Sequence, residues 1–493
     1  MRIKKIIIFI NLIFIILTLT SCKNNNALEL NLKFNIDNFD GIYDEYSYKY
    51  SDSYFYSNEY NLDLLKTSFI INYSSFSNEY DGKDETLKKI MQDMEFSDFY
   101  SNSYSFDNAD IKNMSLSFAS KDILIKNKNY KLICVIAKGY DYFFEWVSNF
   151  VMGSDGDHLG FKESAITLIN ELNNYAEMIN AKDTILWITG YSRGGAVSNL
   201  ATAYIENYIN YKNTNNWLID EYKIDELNFS VELNNIFCYT FDAPKAALIK
   251  NRNALNNISN NIYNFINSSD IVPMIVPEEF GFRRYGIDKI YDLNKDDNLL
   301  SKLNENYKFG YNNYIDEYAF SLLENNDSIE LKINDDFILY INNIDVEITM
   351  EEYFNDLISY LISIFQTRKN YSDIIDDMIV EIFSNYANLK YSDKIIFINS
   401  LIDNLENMNL MNLIFYKNIS KIISSSFEDV NVNLTDNCIK KIDNFSKIII
   451  NEIISLLDSE YFGEIFATLY INLSKLINNH YPYLLFSIIN SIE

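Results

Sequence analysis

Gly190-Tyr191-Ser192-Arg193-Gly194 is the segment of this chain best suited to do chemistry. It follows an apolar, strand-like run at 184–189 and opens onto a helical pattern from 196. A serine between glycines at a strand-to-helix turn is a nucleophile elbow. The glycines let strand and helix pass closely, and the helix N-terminus with the Arg193 backbone N–H points at the place where an oxyanion would form. Serine becomes a nucleophile only when a base takes its proton and an acid orients that base. The chain holds 69 acidic residues but only two histidines, His158 and His480, so the base has few candidates and the acid many. Of 13 glycines and 4 prolines, nine and three respectively fall between Gly139 and Gly286. Such residues serve unusual backbone geometry, and their clustering marks where loops must be shaped.

The elements around the elbow alternate: helix 163–176, strand 184–189, helix 196–209, strands 236–241 and 263–267. Strands alternating with helices imply parallel pairing through crossover helices, hence the α/β class. Upstream, 116–125 and 130–137 read as strands around an Asn/Lys turn, and 61–96 as amphipathic helices. From about residue 301 the texture changes. A hairpin-like piece at 329–341 leads to a capping box, Thr349-x-x-Glu352. A clean helix follows, with Ser372 as N-cap and Ile374, Ile375, Met378, Ile379, Ile382, Phe383 and Tyr386 on one face. Residues 301–470 read as a mainly helical insertion, either a lid over the site or a second layer of core.

The segment 188–201, ITGYSRGGAVSNLA, resembles the elbow of the class 3 (fungal-type) lipase family and its bacterial relatives. Further stretches match in the family's order. Residues 135–140, followed by Glu145-Trp146, resemble the segment that carries an oxyanion donor. Here Lys138 replaces an expected Arg, and Tyr140 an expected Thr or Ser, so Tyr140 offers a backbone N–H without a short hydroxyl. His158-Leu159-Gly160-Phe161 resembles the structural H-x-G-F, and 239–244 the strand ending in G-A-P, with Asp242 in place of Gly. Asp270, in Asn267-Ser-Ser-Asp-Ile-Val-Pro273, resembles the D-x-V-P segment that holds the triad acid. The resemblance covers roughly 110–290 well and the C-terminus weakly, with nothing matching the insertion.

The resemblance implies an α/β-hydrolase: a mostly parallel sheet flanked by helices, the core at 61–300, with the insertion between acid and histidine. It implies the chain order serine, acid, histidine. Only His480 follows both Ser192 and Asp270, and His480-Tyr481-Pro482 holds the only proline outside the core. The C-terminal return, 471–493, then carries the triad base. Arg193 and Tyr140 become the oxyanion donors, and neither cofactor nor metal is called for.

Residues 1–21 form a basic start, an apolar run at 6–19 and a small-residue end before Cys22. Leu19-Thr20-Ser21-Cys22 resembles a bacterial lipobox, which implies an acylated Cys22 and an extracytoplasmic, lipid-anchored chain at the cell envelope. Residues 22–60 read as a tether. The Tyr/Ser/Asp/Glu string at 43–60 fits a solvated linker or edge strand better than a sugar-binding stripe. Net charge is −28, more negative still without Arg2, Lys4 and Lys5, and no basic stripe is present. That excludes nucleic acid and electrostatic binding to anionic headgroups. Cys134 and Cys238 lie in apolar strand-like runs as buried thiols, Cys438 stands alone, and no disulfide framework or zinc spacing can be assembled. Ser154-Asp-Gly-Asp157 could hold calcium, although a solvated loop is the simpler reading.

The resulting expectation is hydrolysis of carboxylic esters, lipid esters foremost, by a membrane-anchored serine hydrolase. Two other readings stay open: a peptidase or thioesterase on the same fold, and a surface-binding lipoprotein with a decayed site.

Overall fold

The computed structural model describes residues 28–37, 43–75, 84–102, 112–139, 147–292, 296–306, 362–406, 416–457, 479–480 and 482–492. In chain order, β1 (Glu29–Asp37) and β2 (Tyr43–Ser51) form an antiparallel hairpin. Helices α1 (Leu62–Ser74) and α2 (Glu85–Asp93) follow, then strands β3 (Ser97–Ser101), β4 (Leu116–Ile125) and β5 (Lys128–Ala137). The central stretch runs α3 (Leu159–Met178), β6 (Asp183–Tyr191), α4 (Arg193–Thr214), β7 (Ser230–Phe241), β8 (Ala247–Leu248), α5 (Ile249–Leu255) and β9 (Ile262–Asn267). After β10 (Phe282–Arg283) and β11 (Ile287–Tyr291) come α6 (Asp297–Asn306), α7 (Arg368–Ala387), α8 (Tyr391–Glu406), α9 (Tyr416–Glu428), α10 (Asp436–Leu457) and α11 (Pro482–Ser491).

Seven strands make the main sheet in the order β11-β9-β7-β6-β5-β4-β3. The five from β5 to β11 are parallel, while β3 and β4 close one edge antiparallel. Helices α3 and α4 bridge β5 to β6 and β6 to β7, as parallel neighbours require. The β4–β5 pair needs only Lys126 and Asn127, both at positive φ (50° and 66°), a two-residue turn whose twist suits a hairpin.

Alternation along β6 shows how the sheet is buried. Leu186 and Ile188 face Phe161 and Leu168 of α3 and Val197 and Leu200 of α4. Ile185 and Trp187 face the opposite way, into a layer of α1, α2, α11 and the β1–β2 hairpin. Trp187 Nε1 donates to Ser68 Oγ of α1 at 2.8 Å, so the polar edge of the largest core side chain is satisfied. With both faces covered, a run of consecutive apolar residues is what β6 needs. Cys134 and Cys238 are buried thiols on opposite faces.

Other expectations are decided or changed. Of the two readings of the tyrosine string, the structure takes the edge strand and not the solvated linker. In β2, Tyr48 and Tyr50 are buried while Ser47 and Lys49 are exposed, a period-two pattern that seals the hairpin onto the core beside Phe34, Tyr54 and Phe55. Helix α1 is buried on nearly every side, Ser68 and Asn72 included, rather than amphipathic. Ser372 is not an N-cap. Thr367 caps α7 through its side chain, and Ser372, one turn in, donates to Asp376 Oδ2 at 2.7 Å.

Helices α7 to α10, with Phe365 just ahead of α7, build a core from Phe365, Ile375, Met378, Phe397, Phe427, Cys438 and Ile442, in keeping with a mainly helical insertion. The 329–341 hairpin and the Thr349–Glu352 box lie outside the described residues. The layer is clamped to the loop at 150–156. The Arg368 guanidinium donates to the carbonyls of Met152, Gly153, Asp155 and Gly156. Asp376 accepts the N–H groups of Met152 and Gly153, and Tyr371 donates to Phe150 O. The solvated-loop reading of Ser154–Asp157 holds for Ser154 and Asp155, which are exposed, and fails for Asp157. The loop's carbonyls hold a guanidinium, and the buried Asp157 carboxylate accepts from Leu248 N, Asn251, Tyr204 and Tyr285, an arrangement that speaks against the calcium reading.

Candidate active site

Strand β6 delivers Ser192 at its C-terminal end, the edge where parallel sheets place their chemistry. Ser192 has φ 56° and ψ −130°, a strained conformation for a residue with a side chain, and its N–H donates to Phe241 O at 2.8 Å. Gly190 and Gly194 make the turn possible. A Cβ on Gly190 would sit 2.2 Å from Gly194 O, and one on Gly194 would sit 2.1 Å from Ala137 O. Strand, helix and the end of β5 therefore meet backbone to backbone.

His480 Nε2 lies 2.8 Å from Ser192 Oγ, and His480 Nδ1 lies 2.5 Å from Asp270 Oδ2. Ser192, Asp270 and His480, far apart in sequence, thus form one hydrogen-bonded chain. Asp270 sits in the loop after β9, fully buried, and its Oδ1 accepts the Val272 N–H at 2.8 Å. Burial pushes Asp270 upward, and the Val272 N–H, the Asp242 carboxyl and the Arg284 guanidinium oppose that. Burial also pushes His480 down to about 4, so its imidazole is neutral at ordinary pH and free to accept a proton.

Several positioning contacts were not legible in the sequence. Tyr191 stacks on His480, Tyr191 Oη donates to the His480 carbonyl, and Asn267 Nδ2 donates to Asn479 O at 3.3 Å. Arg284 donates to Ala243 O and Pro273 O, 2.7 Å each, which ties the strand end at β7 to the loop of the acid. A signal existed only for Tyr191, through its place inside the elbow.

The other predicted residues fall as follows. The Arg193 side chain is buried away from solvent, donating to Ser148 Oγ, Asn113 O and Ser164 Oγ, so only its backbone N–H, in the first turn of α4, could face an oxyanion. Tyr140, Glu145, Trp146 and Cys22 lie outside the described residues. Lys138 is buried and paired with Asp84. His158 is fully buried, stacks on Phe161 with ring centroids 4.2 Å apart, and has no hydrogen-bond partner for either ring nitrogen among the described residues. It is not part of the Ser192–Asp270 chain.

A serine, a neutral histidine and a buried aspartate at the C-terminal edge of a mostly parallel sheet define a serine hydrolase of the α/β-hydrolase fold. Residues 143–280 match the class 3 lipase family, a span that takes in the elbow and Asp270 but stops short of His480. The protein is a serine carboxylic-ester hydrolase. Among solved structures, lipase II of Rhizopus niveus aligns at 16% identity and a TM-score of 0.30, over 46% of this chain and 79% of its own. The Rhizomucor miehei lipase–propeptide complex aligns at 18% and 0.30, over 46% and 67%. A lipase of Rhizopus microsporus var. chinensis aligns at 12% and 0.30, over 46% and 73%. Among curated proteins none matches the chain.

Proposed function

We propose that this protein hydrolyses lipid esters through an acyl-enzyme on Ser192, with His480 as general base and Asp270 as its orienting acid, at a membrane to which Cys22 holds it. The observation that carries the reading is the 2.8 Å and 2.5 Å chain from Ser192 through His480 to Asp270. Ser192 Oγ attacks the ester carbonyl as its proton passes to His480 Nε2, and Asp270 steadies the imidazolium through Nδ1. The negative charge that forms on the carbonyl oxygen meets the N-terminus of α4, where the Arg193 N–H serves as donor, and the family resemblance names Tyr140 for the second. His480 then gives its proton to the leaving alcohol, and a water activated by the same imidazole releases the acid and restores Ser192.

The hydrogen-bonded chain favours a working enzyme over a decayed binding protein. Lipid esters are the substrate class because the family is one of lipases and an acylated Cys22 would keep the chain at a lipid surface outside the cytoplasm. Among the described residues no helix is long and apolar enough to cross a membrane. Fluorophosphonate labelling tests the reading. Wild-type protein should label stoichiometrically on Ser192 and release fatty acid from dispersed acylglycerols, and Ser192→Ala should do neither. Labelling with activity only on peptides or thioesters would move the substrate class, and no labelling would remove the triad.

A further inference from the structure

Where the family resemblance expects glycine, this chain carries Asp242, directly after β7. The residue has φ 41° and its carboxyl is completely buried. Its N–H donates to Phe265 O at 2.9 Å, and its Oδ1 accepts the Asn267 N–H at 2.7 Å. Its Oδ2 is buried with no donor among the described residues. One oxygen of Asp242, one of Asp270 and a ring nitrogen of His480 all lie within 4.8 Å of one another.

Two buried carboxyls this close do not both ionise, because each charge opposes the other where water screens neither. An ionised Asp242 would leave Oδ2 bare, whereas a protonated one has an O–H to give, and the Asp270 carboxylate can only accept. Among the described residues the charged groups around the pair are few. Asp270 comes from the loop after β9 and His480 from the C-terminal segment. Arg284, after β10, is the nearby cation and already pairs with Asp288. Burial first, then the Asp270 charge, pushes Asp242 well above the usual carboxylate range. Asp270 has His480 Nδ1 and the Val272 N–H as its other partners, so it is the better placed of the two to stay ionised.

We propose that Asp242 is a positioning residue of this site: it keeps the one proton of a two-carboxyl pair and donates it to Asp270, fixing the carboxylate that orients His480. The proposal rests on the triad assignment above and adds to it the reason an acid replaces the expected glycine. Infrared difference spectra of the full chain near neutral pH, wild type against Asp242→Asn, read the proton directly. The expected result is a neutral-carboxyl carbonyl stretch in the wild type that is lost in the variant. Asp242→Ala should lower kcat roughly ten- to a hundredfold, the worth of a charge-assisted hydrogen bond, with KM little changed. Asp242→Asn keeps an N–H donor and should recover most of that loss. Spectra without that difference would mean an ionised Asp242 and overturn the proposal, as would a folded Asp242→Ala with wild-type kcat. If Asp242→Ala does not fold, the Asn spectrum still decides. Fluorophosphonate labelling of the same wild-type protein reads the triad independently, so a failed triad and an ionised Asp242 give different results.

Discussion

Tyr191 holds His480 from two sides: its ring lies 4.9 Å from the imidazole at 15° between planes, and its hydroxyl donates to the His480 carbonyl. The residue just before the nucleophile therefore sets the position of the base, although the two are separated by most of the helical layer in sequence. Tyr191→Phe keeps the stack and loses the donor, and should lower kcat roughly three- to tenfold with KM unchanged, the worth of one neutral hydrogen bond. Tyr191→Ala loses both and should fall further. Wild-type kinetics in Tyr191→Ala would mean that Asp270 alone suffices to place the imidazole.

Activity should survive into acid further than an ordinary histidine allows. Neutral His480 is the working base, and burial lowers its pKa from 6.5 to about 4. A depressed value means the neutral form persists as pH falls, so kcat/KM, which reports the free enzyme, should stay level through pH 6 and drop only as pH approaches 4. A pH–rate profile with its acid midpoint near 6.5 would contradict the buried, water-excluded setting of His480.

Arg368 is the rivet between the helical layer and the hydrolase core, spending its guanidinium on four backbone carbonyls of one loop. Arg368→Ala would leave those carbonyls without their donor. A cost of roughly 3 kcal/mol or more is expected, as when a buried charge network loses one member. Limited proteolysis should then cut within 362–457 well before the sheet. Chelators should leave the melting temperature unchanged, because the carbonyls of the same loop are already taken by Arg368. An unaltered proteolysis pattern in Arg368→Ala would show that the apolar contacts alone secure the layer.

Membrane attachment is tested at Cys22. Cys22→Ser should block leader processing or release the protein from the membrane fraction, since two or three acyl chains are what make such anchoring stable. A Cys22→Ser protein that still partitions with membranes and needs detergent for release would count against acylation at this position.

What the sequence could and could not disclose follows from the range of the interactions. The elbow is local: an apolar strand, two glycines and a helix start lie in consecutive residues, so Ser192 was readable. His480 was readable because only two histidines exist and chain order leaves one. The β2 segment stays divided between linker and edge strand in the sequence because its composition is that of a linker. The buried Tyr48 and Tyr50 against exposed Ser47 and Lys49 sit in a period-two pattern that the composition hides. The Arg368 clamp was invisible, since it joins a helix to carbonyls over two hundred residues away and backbone acceptors carry no sequence signature. Asp242 stood out only as a departure from an expected glycine, and its meaning needed the proximity of Asp270.

The central claim is that Ser192 and His480 act as one catalytic unit, and a double-mutant kinetic comparison tests it most directly. Ser192→Ala and His480→Ala should each lower kcat by roughly three powers of ten or more, and the double variant should cost little beyond either. His158→Ala serves as the control. It removes a buried ring stacked on Phe161 and should cost roughly 2–4 kcal/mol of stability, while the folded fraction turns over as before. Near-normal ester hydrolysis by folded His480→Ala protein would contradict the account, and so would single losses that multiply in the double variant.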